Sequence, residues 1–292
     1  MDYNITIPEQ SVMFINLSGI IMISTIIIIG FILLMRYAAK FVPGLMGLLC
    51  YLLLVVVGTE LITYVIAAIP VLGTMLLGQV MLFCITRAVI TAGLCHATRV
   101  IVLKFTDRNQ DMQLGDALMG GLGIAIGGAI VVGTSFIYLS TLAATVNTYG
   151  LEALMADISQ AEQAELATYI ANIASIAPVT FLMQGLGYTI DIVFQVAVLL
   201  LLYAVIKKGL PVFWHGVIIV SNIILEAVSL FTNYSVWENY MMMVLIKLII
   251  LVGIVVAALR VDSDYLGGEL RSFAKLKRKK DAMPKFNDIK NK

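Results

Sequence analysis

The stretch "ITAGLCHATRVIVLKF", residues 90–105, sets Cys95, His96 and Arg99 inside an otherwise apolar run. A thiol, an imidazole and a guanidinium can supply a nucleophile, a base and a charge clamp. Cys95 and His96 are neighbours in sequence, however, and adjacent helical positions point about 100° apart. A direct Cys–His dyad therefore requires a kinked backbone. Glu226 and Asn222, in the later stretch "SNIILEAV", add a carboxylate and an oxyanion donor. Cys95, His96 and Glu226 are the one set that can offer a metal three donors. Zinc enters only with hydrolytic activity, and no other cofactor is expected. His215 stands beside Trp214 and reads as an interfacial anchoring pair.

The elements that position these groups follow from composition. The chain has 292 residues, 61% of them hydrophobic and only 13% charged. That charged share is about half the level usual in soluble domains. Apolar runs exceed 20 residues, enough to cross roughly 30 Å of hydrocarbon as helix. The expected fold is all-α: a polytopic transmembrane helix bundle in contact with the lipid bilayer. Seven spans are predicted, near 13–35, 44–69, 72–104, 116–146, 177–206, 211–231 and 238–260. The third is too long for one perpendicular helix, so it is tilted, broken or begins outside the hydrocarbon. The first run is too long for a signal peptide and no Lys or Arg precedes it, so it reads as a span. Residues 1–260 thus form one membrane domain and 261–292 a basic tail. The three cysteines, Cys50, Cys84 and Cys95, form no disulfide framework and no CxxC motif.

Charge fixes the expected orientation. Sixteen of the 19 Lys and Arg residues fall in alternate connections and the tail. The opposite connections hold none and carry acids such as Glu152, Glu162, Glu165 and Glu238. The positive-inside rule then puts the N-terminus outside and the C-terminus inside. The long connection 147–176 contains "SQAE", Ser159 to Glu162, a capping box that starts a helix near residue 160. Leu151, Leu154, Met155 and Ile158 recur at helical spacing before it, so two short amphipathic helices are expected there. In the tail, Leu266, Leu270, Phe273 and Leu276 share one helical face among Lys and Arg, as in a basic interfacial helix.

Six ionisable residues remain within spans: Glu60, Arg87, Arg99, Asp191, Glu226 and Lys247. Three cations against three acids predict paired charges in the bundle interior, because a lone charge in lipid costs at least ~2.5 kcal/mol. Depth alone pairs Arg87 with Asp191, and a network of Glu60, Arg87, Asp191 and Lys247 is expected. Cys84, Arg87, Thr91, Cys95, Thr98 and Arg99 lie within about a 120° arc of the third span, with His96 at its edge. This stripe must face a cavity or other helices. The glycine-rich "MGGLGIAIGGAIVVG" contains Gly123-x-x-x-Gly127, a close-packing signal rather than a nucleotide loop. No nucleotide or nucleic-acid partner is expected.

Taken in order, "TAGLCHATRVIVLKF", "GDALMGGLGIAIGGAI", "VFQVAVLLLLYAVIKKG" and "SNIILEAV" resemble the YhfC family of bacterial intramembrane peptidases over roughly residues 15–230. Members of that family show Thr/Ala-Gly then Glu-Glu-x-x-Arg, and an Asp-Ala-Leu segment leading to Gly-Leu-Gly-His-Gly-Gly-Ile-Glu. A Phe-His helix and a His-x-x-x-Asp span follow. The resemblance implies a multi-pass protein of a bacterial plasma membrane, with a glutamic or metallo-type site drawn from several helices. The expected reacting groups are replaced in this chain. Cys95 and His96 stand for the two glutamates, while Arg99 is kept. Ile124 and Gly128 replace a His and a Glu, Gln195 follows Phe194 in place of the His, and Asn222 and Glu226 replace the last His and Asp.

The resemblance with these departures implies a catalytically inactive relative. It would bind or regulate a membrane peptide or protein through a polar intramembrane cavity, with Cys95, His96, Arg99, Gln195, Asn222 and Glu226 as its degenerate site. Two other readings stand beside it. One is an active peptidase with a remodelled site. The other is a transporter or channel subunit using Glu60, Asp191 and Glu226.

Overall fold

The computed structural model describes residues 5–109, 111–155 and 159–270. Among these, all regular structure is helical: α1 (Glu9–Tyr37), α2 (Phe41–Cys50), a π-helical stretch (Tyr51–Val57), α3 (Gly58–Ala68), α4 (Pro70–Gly78), α5 (Val80–Thr106), α6 (Leu114–Tyr149), α7 (Leu151–Met155), α8 (Gln160–Ser175), α9 (Pro178–Lys208), α10 (Phe213–Asn233) and α11 (Tyr240–Tyr265). Seven of the described helices are long and apolar enough to cross a membrane, the second being the continuous run Phe41–Ala68. The chain is an integral membrane protein of seven helical spans.

α9 is the central helix. Of its most apolar window 61% is buried, against 17–33% for the other six spans. It packs on α1, α6 and α11, while α5 packs on α10 and α2. Lipid tails are as apolar as Leu, so close packing and interhelical hydrogen bonds, rather than exclusion of water, must hold such helices together. The glycines show how. A Cβ on Gly123 would overlap the carbonyl of Gly44 in α2, and one on Gly47 would overlap that of Gly120. Gly127 leaves room for the Tyr51 ring. The Gly123/Gly127 pair thus marks where α6 meets the α2 span. Gly209 ends α9 at φ 75°, and its N–H returns to the Ala204 carbonyl.

Several expectations change at the ends of elements. The predicted span 72–104 is two helices. Pro70 opens α4, which turns back on α3, and the chain breaks at Gln79 (φ −134°, ψ 97°) before α5 begins. The turn is tight enough that a Cβ on Gly73 would overlap the Ala67 carbonyl. The connection after α6 does form two short helices. Ser159 Oγ accepts from the Glu162 N–H, and the Glu162 carboxylate accepts from the Ser159 N–H in return. That pairing holds the Glu162 carboxyl below its usual range. α8 buries Ile170 and Ile173 with Ile7, Val146 and Leu151 at this acidic end. Asp157 and Ile158 lie outside the described residues.

The predicted tail helix does not start where its face was drawn. Leu266–Leu270 form turns with Gly267 and Gly268 at positive φ. There the buried Asp262 accepts from the Leu270 N–H, and Arg36 donates to the Leu270 carbonyl. Phe273, Leu276 and the rest of the basic tail lie outside the described residues.

Gly123→Ala is therefore expected to destabilise the bundle by at least ~1 kcal/mol, the scale of overpacking. Gly133→Ala has nothing within 4 Å of its new methyl and should leave stability within about 0.5 kcal/mol. Unfolding of both variants in detergent micelles checks the contrast.

Candidate functional site

The polar stripe of α5 becomes a ladder with one step per helical turn: Arg99, Cys95, Thr91 and Arg87. α9 and α10 face it with two steps each, Gln195 then Asp191, and Asn222 then Glu226. Each of these pairs is spaced i, i±4, which places its members on one face, one turn apart.

The deepest step centres on Arg99, which is fully buried. Its Nε and Nη2 donate to Gln195 Oε1 at 3.1 and 2.7 Å. Nη2 also donates to Asn222 Oδ1 at 2.7 Å. The Phe194 ring lies 5.7 Å from the guanidinium carbon. Cys95 Sγ donates to the same Gln195 oxygen at 3.7 Å. A charge that would be costly in lipid is thus solvated by two amide carbonyls and an aromatic face. Such carbonyls accept hydrogen bonds but take up no proton at neutral pH, so this step contains no general base.

His96 turns the other way. Its Nε2 lies 2.9 Å from His215 Nδ1, with the rings edge to face at 82°. That hydrogen bond needs one ring nitrogen to accept, so the pair carries at most one positive charge. His215, expected as an interfacial anchor with Trp214, therefore also has a partner on α5. Trp214 packs on Phe213, while His215 joins α10 to α5. Neither Cys95 nor His96 hydrogen-bonds the other; each has its own partner on a different helix.

The intramembrane ion pairs are also rearranged. Arg87 does not meet Asp191. It forms a two-pronged pair with Glu60, through Nη2 to Oε1 and through Nη1 to Oε2 at 3.3 Å. Asp191 instead accepts from Lys247 Nζ at 2.5 Å. Depth misled because the expected third span began at 72 and so put Arg87 near its middle, whereas α5 begins at Val80 and Arg87 lies as near its start as Lys247 does to that of α11. Helix neighbours decide it: α11 packs on α9, whereas α3 packs beside α5. Lys247 is buried and its ammonium lies 5.5 Å from the Tyr188 ring. Glu226 makes no hydrogen bond or ion pair among the described residues. Its electrostatic neighbours are Asp191, Lys247, Arg99 and Arg87.

Beyond the Arg99 step these groups surround a cavity of about 280 Å³. Gln195, Asp191 and Glu226 line it, as do Ile124, Gly128, Tyr51, Tyr188, Thr91 and Arg87. It runs toward the acidic end, where Glu60 stands 62% exposed at the rim. Nothing in the residue order singles out Tyr51 or Tyr188. The one available signal for Tyr51 is its place opposite Gly127 and Gly128. It also begins the π-helical stretch, an irregularity that often accompanies functional sites. Among the described residues, no three His, Cys, Asp or Glu side chains are arranged to hold a metal ion.

Asp116 was also missed. Its carboxylate, almost wholly buried, accepts from the backbone N–H groups of Lys40 and Gln113 and so ties the start of α6 to the start of α2. Lys40 Nζ pairs outward with Asp111, raising the lysine's pKa and lowering the acid's.

The chain matches no family model, no curated protein and no solved structure.

Gln195→Leu leaves the buried guanidinium with one acceptor and is expected to cost roughly 3 kcal/mol or more. The triple variant Arg99→Met, Gln195→Leu, Asn222→Leu removes charge and acceptors together and should be the more stable of the two. Denaturant unfolding of the purified proteins decides it. A Gln195→Leu protein within 1 kcal/mol of wild type would show that the amide does not solvate the cation.

Proposed function

We propose that this seven-span protein is a non-hydrolysing binding protein for a membrane peptide or protein segment, related to the YhfC intramembrane peptidases and seated in a bacterial plasma membrane. The site is the polar cavity between α5, α6, α9 and α10. The supporting observation is convergence. Of the positions where the resemblance expects reacting groups, Ile124, Gly128, Gln195 and Glu226 line one cavity. Cys95, Arg99 and Asn222 form the hydrogen-bonded step beneath it. Only His96 departs, to His215.

The chemistry at those positions argues for binding over hydrolysis. Peptide hydrolysis needs a base that activates water and a group that stabilises the oxyanion, both within hydrogen-bond reach of one point. Here Arg99 is occupied by two amide oxygens and is sealed from the cavity. Cys95 is capped by Gln195, and His96 is taken up by its own partner, His215 of α10. Glu226 faces the cavity with no imidazole lining it among the described residues. A ligand can be held by such a wall, through Glu226, the Gln195 amide and the two tyrosines, without being cut.

A photoreactive residue at Val131 on the cavity wall should crosslink a hydrophobic membrane peptide in proteoliposomes. The same peptide should remain uncut over hours, at the level seen with Cys95→Ala, His96→Ala or Glu226→Gln. Cleavage by the wild type that disappears in those variants would establish an active peptidase instead.

A further inference from the structure

The polar cavity shares a wall with a groove on the outside of the bundle, and Glu226 lines it without a partner among the described residues. Between α1 and α6 runs an apolar groove of about 620 Å³, floored by residues such as Ile15, Ile23, Ile126 and Ile130. Gly19 and Gly133 in its walls have nothing within 4 Å of where a Cβ would stand. Met22 and Ala129 line both this groove and the polar cavity. Met22, itself 2% exposed, is the partition between them. An unbranched thioether side chain with three rotatable bonds is the side chain best able to move aside there.

The polar wall behind that partition is asymmetric in its partners. Arg87 is held by Glu60, and Lys247 by Asp191. Arg99 is closed off by Gln195 and Asn222. Glu226 has no partner among the described residues, and Asp191 Oδ1 likewise accepts from none. Gln195 is 8% exposed and lines the cavity. Its Oε1 is taken by Arg99 and Cys95, which leaves its two amide hydrogens without an acceptor. The site therefore asks for a cation next to a neutral acceptor oxygen. Among the described residues Arg87 is the lysine or arginine that lines it, and Arg87 is already paired with Glu60, so no cation is left over to hold a phosphate there.

We infer that the occupant is the free amino end of a membrane-embedded peptide: its ammonium on Glu226, its first carbonyl oxygen on the Gln195 amide, and its apolar body lying out through the α1–α6 groove. This rests on the binding function proposed above and names the part of the peptide that is recognised. Tyr51 and Tyr188 line the same cavity, and an aromatic ring beside a cation favours it in a site drier than water. A phospholipid amine carries a phosphate a few bonds from its nitrogen and meets no counter-charge here, so the peptide end fits better.

The test uses the full chain in phosphatidylglycerol nanodiscs and a fluorescent 20-residue Leu/Ala peptide with its amino terminus free or acetylated. The free peptide is expected to bind about tenfold tighter than the acetylated one, the size of one charge-assisted hydrogen bond. Glu226→Gln should reduce that preference to within about twofold while keeping the unfolding temperature. Gly133→Phe, which fills the groove, should weaken both peptides alike. Equal binding of the two peptides to the wild type overturns the inference and leaves the binding function standing. So does a preference that survives Glu226→Gln. Failure of both peptides to bind overturns both. Displacement of the free peptide by phosphatidylethanolamine at equal mole fraction overturns the peptide as occupant in favour of a lipid amine. Because acetylation alters the ligand only, the comparison holds even if a variant fails to fold.

Discussion

A guanidinium with no access to water must be solvated by protein, and the centre of this bundle is arranged around that constraint. Arg99 draws one oxygen from α9 and one from α10, and so fixes the rotation of both helices against α5. Once Gln195 and Asn222 are so oriented, the residues one turn further, Asp191 and Glu226, must also face inward. The cavity is the space between that carboxylate layer and the Arg87–Glu60 pair at the rim. In hydrocarbon the hydrophobic effect gives helices no preferred partner. Polar contacts of this kind carry the register information that an apolar core supplies in a soluble protein.

The opposite wall depends on the absence of side chains rather than on their bonds. α6 can approach α2 closely because Gly44, Gly47, Gly120 and Gly123 interleave backbone against backbone. This brings Tyr51 over Gly127 and Gly128, where a side chain on either would meet the ring. A glutamate at position 128 would therefore contend with Tyr51 for space. The glycine there and the tyrosine over it are one packing solution.

Much of the fold was legible from residue order because membrane spans are set by length and apolarity, which are properties of single segments. The capping box at Ser159 and the close-packing glycines were legible for the same reason, being local. The failures among the charged and polar side chains were pairwise. Arg87 and Asp191 have suitable charges and depths, but choosing among six ionisable groups requires knowing which helices touch. His215 sits beside a tryptophan at a span edge, the usual signature of an anchor, and only the α5–α10 contact reveals His96 as its partner. A break was one of the outcomes the length of the third span allowed, but its position at Gln79 was not legible because "LLGQVML" carries no proline to mark it. In the site, the polar residues of α5 were readable from their shared arc. The tyrosine walls were not, since an aromatic residue in an apolar span has no signal that separates a cavity lining from lipid contact.

The same pairwise logic explains why one carboxylate is left over. Along this cavity each cation already has its oxygen partner: Arg87 has Glu60, Lys247 has Asp191, and Arg99 has two amides instead of an acid. Had position 195 or 222 been acidic, Arg99 would be neutralised locally and Glu226 would have to find its counter-charge elsewhere. With neutral amides there, the positive charge of Arg99 balances Glu226 only at a distance, through the protein rather than by contact. Glu226 thus faces the cavity free to make a hydrogen bond. Neutral amides beside the buried arginine and an acid without a partner among the described residues are two sides of one arrangement.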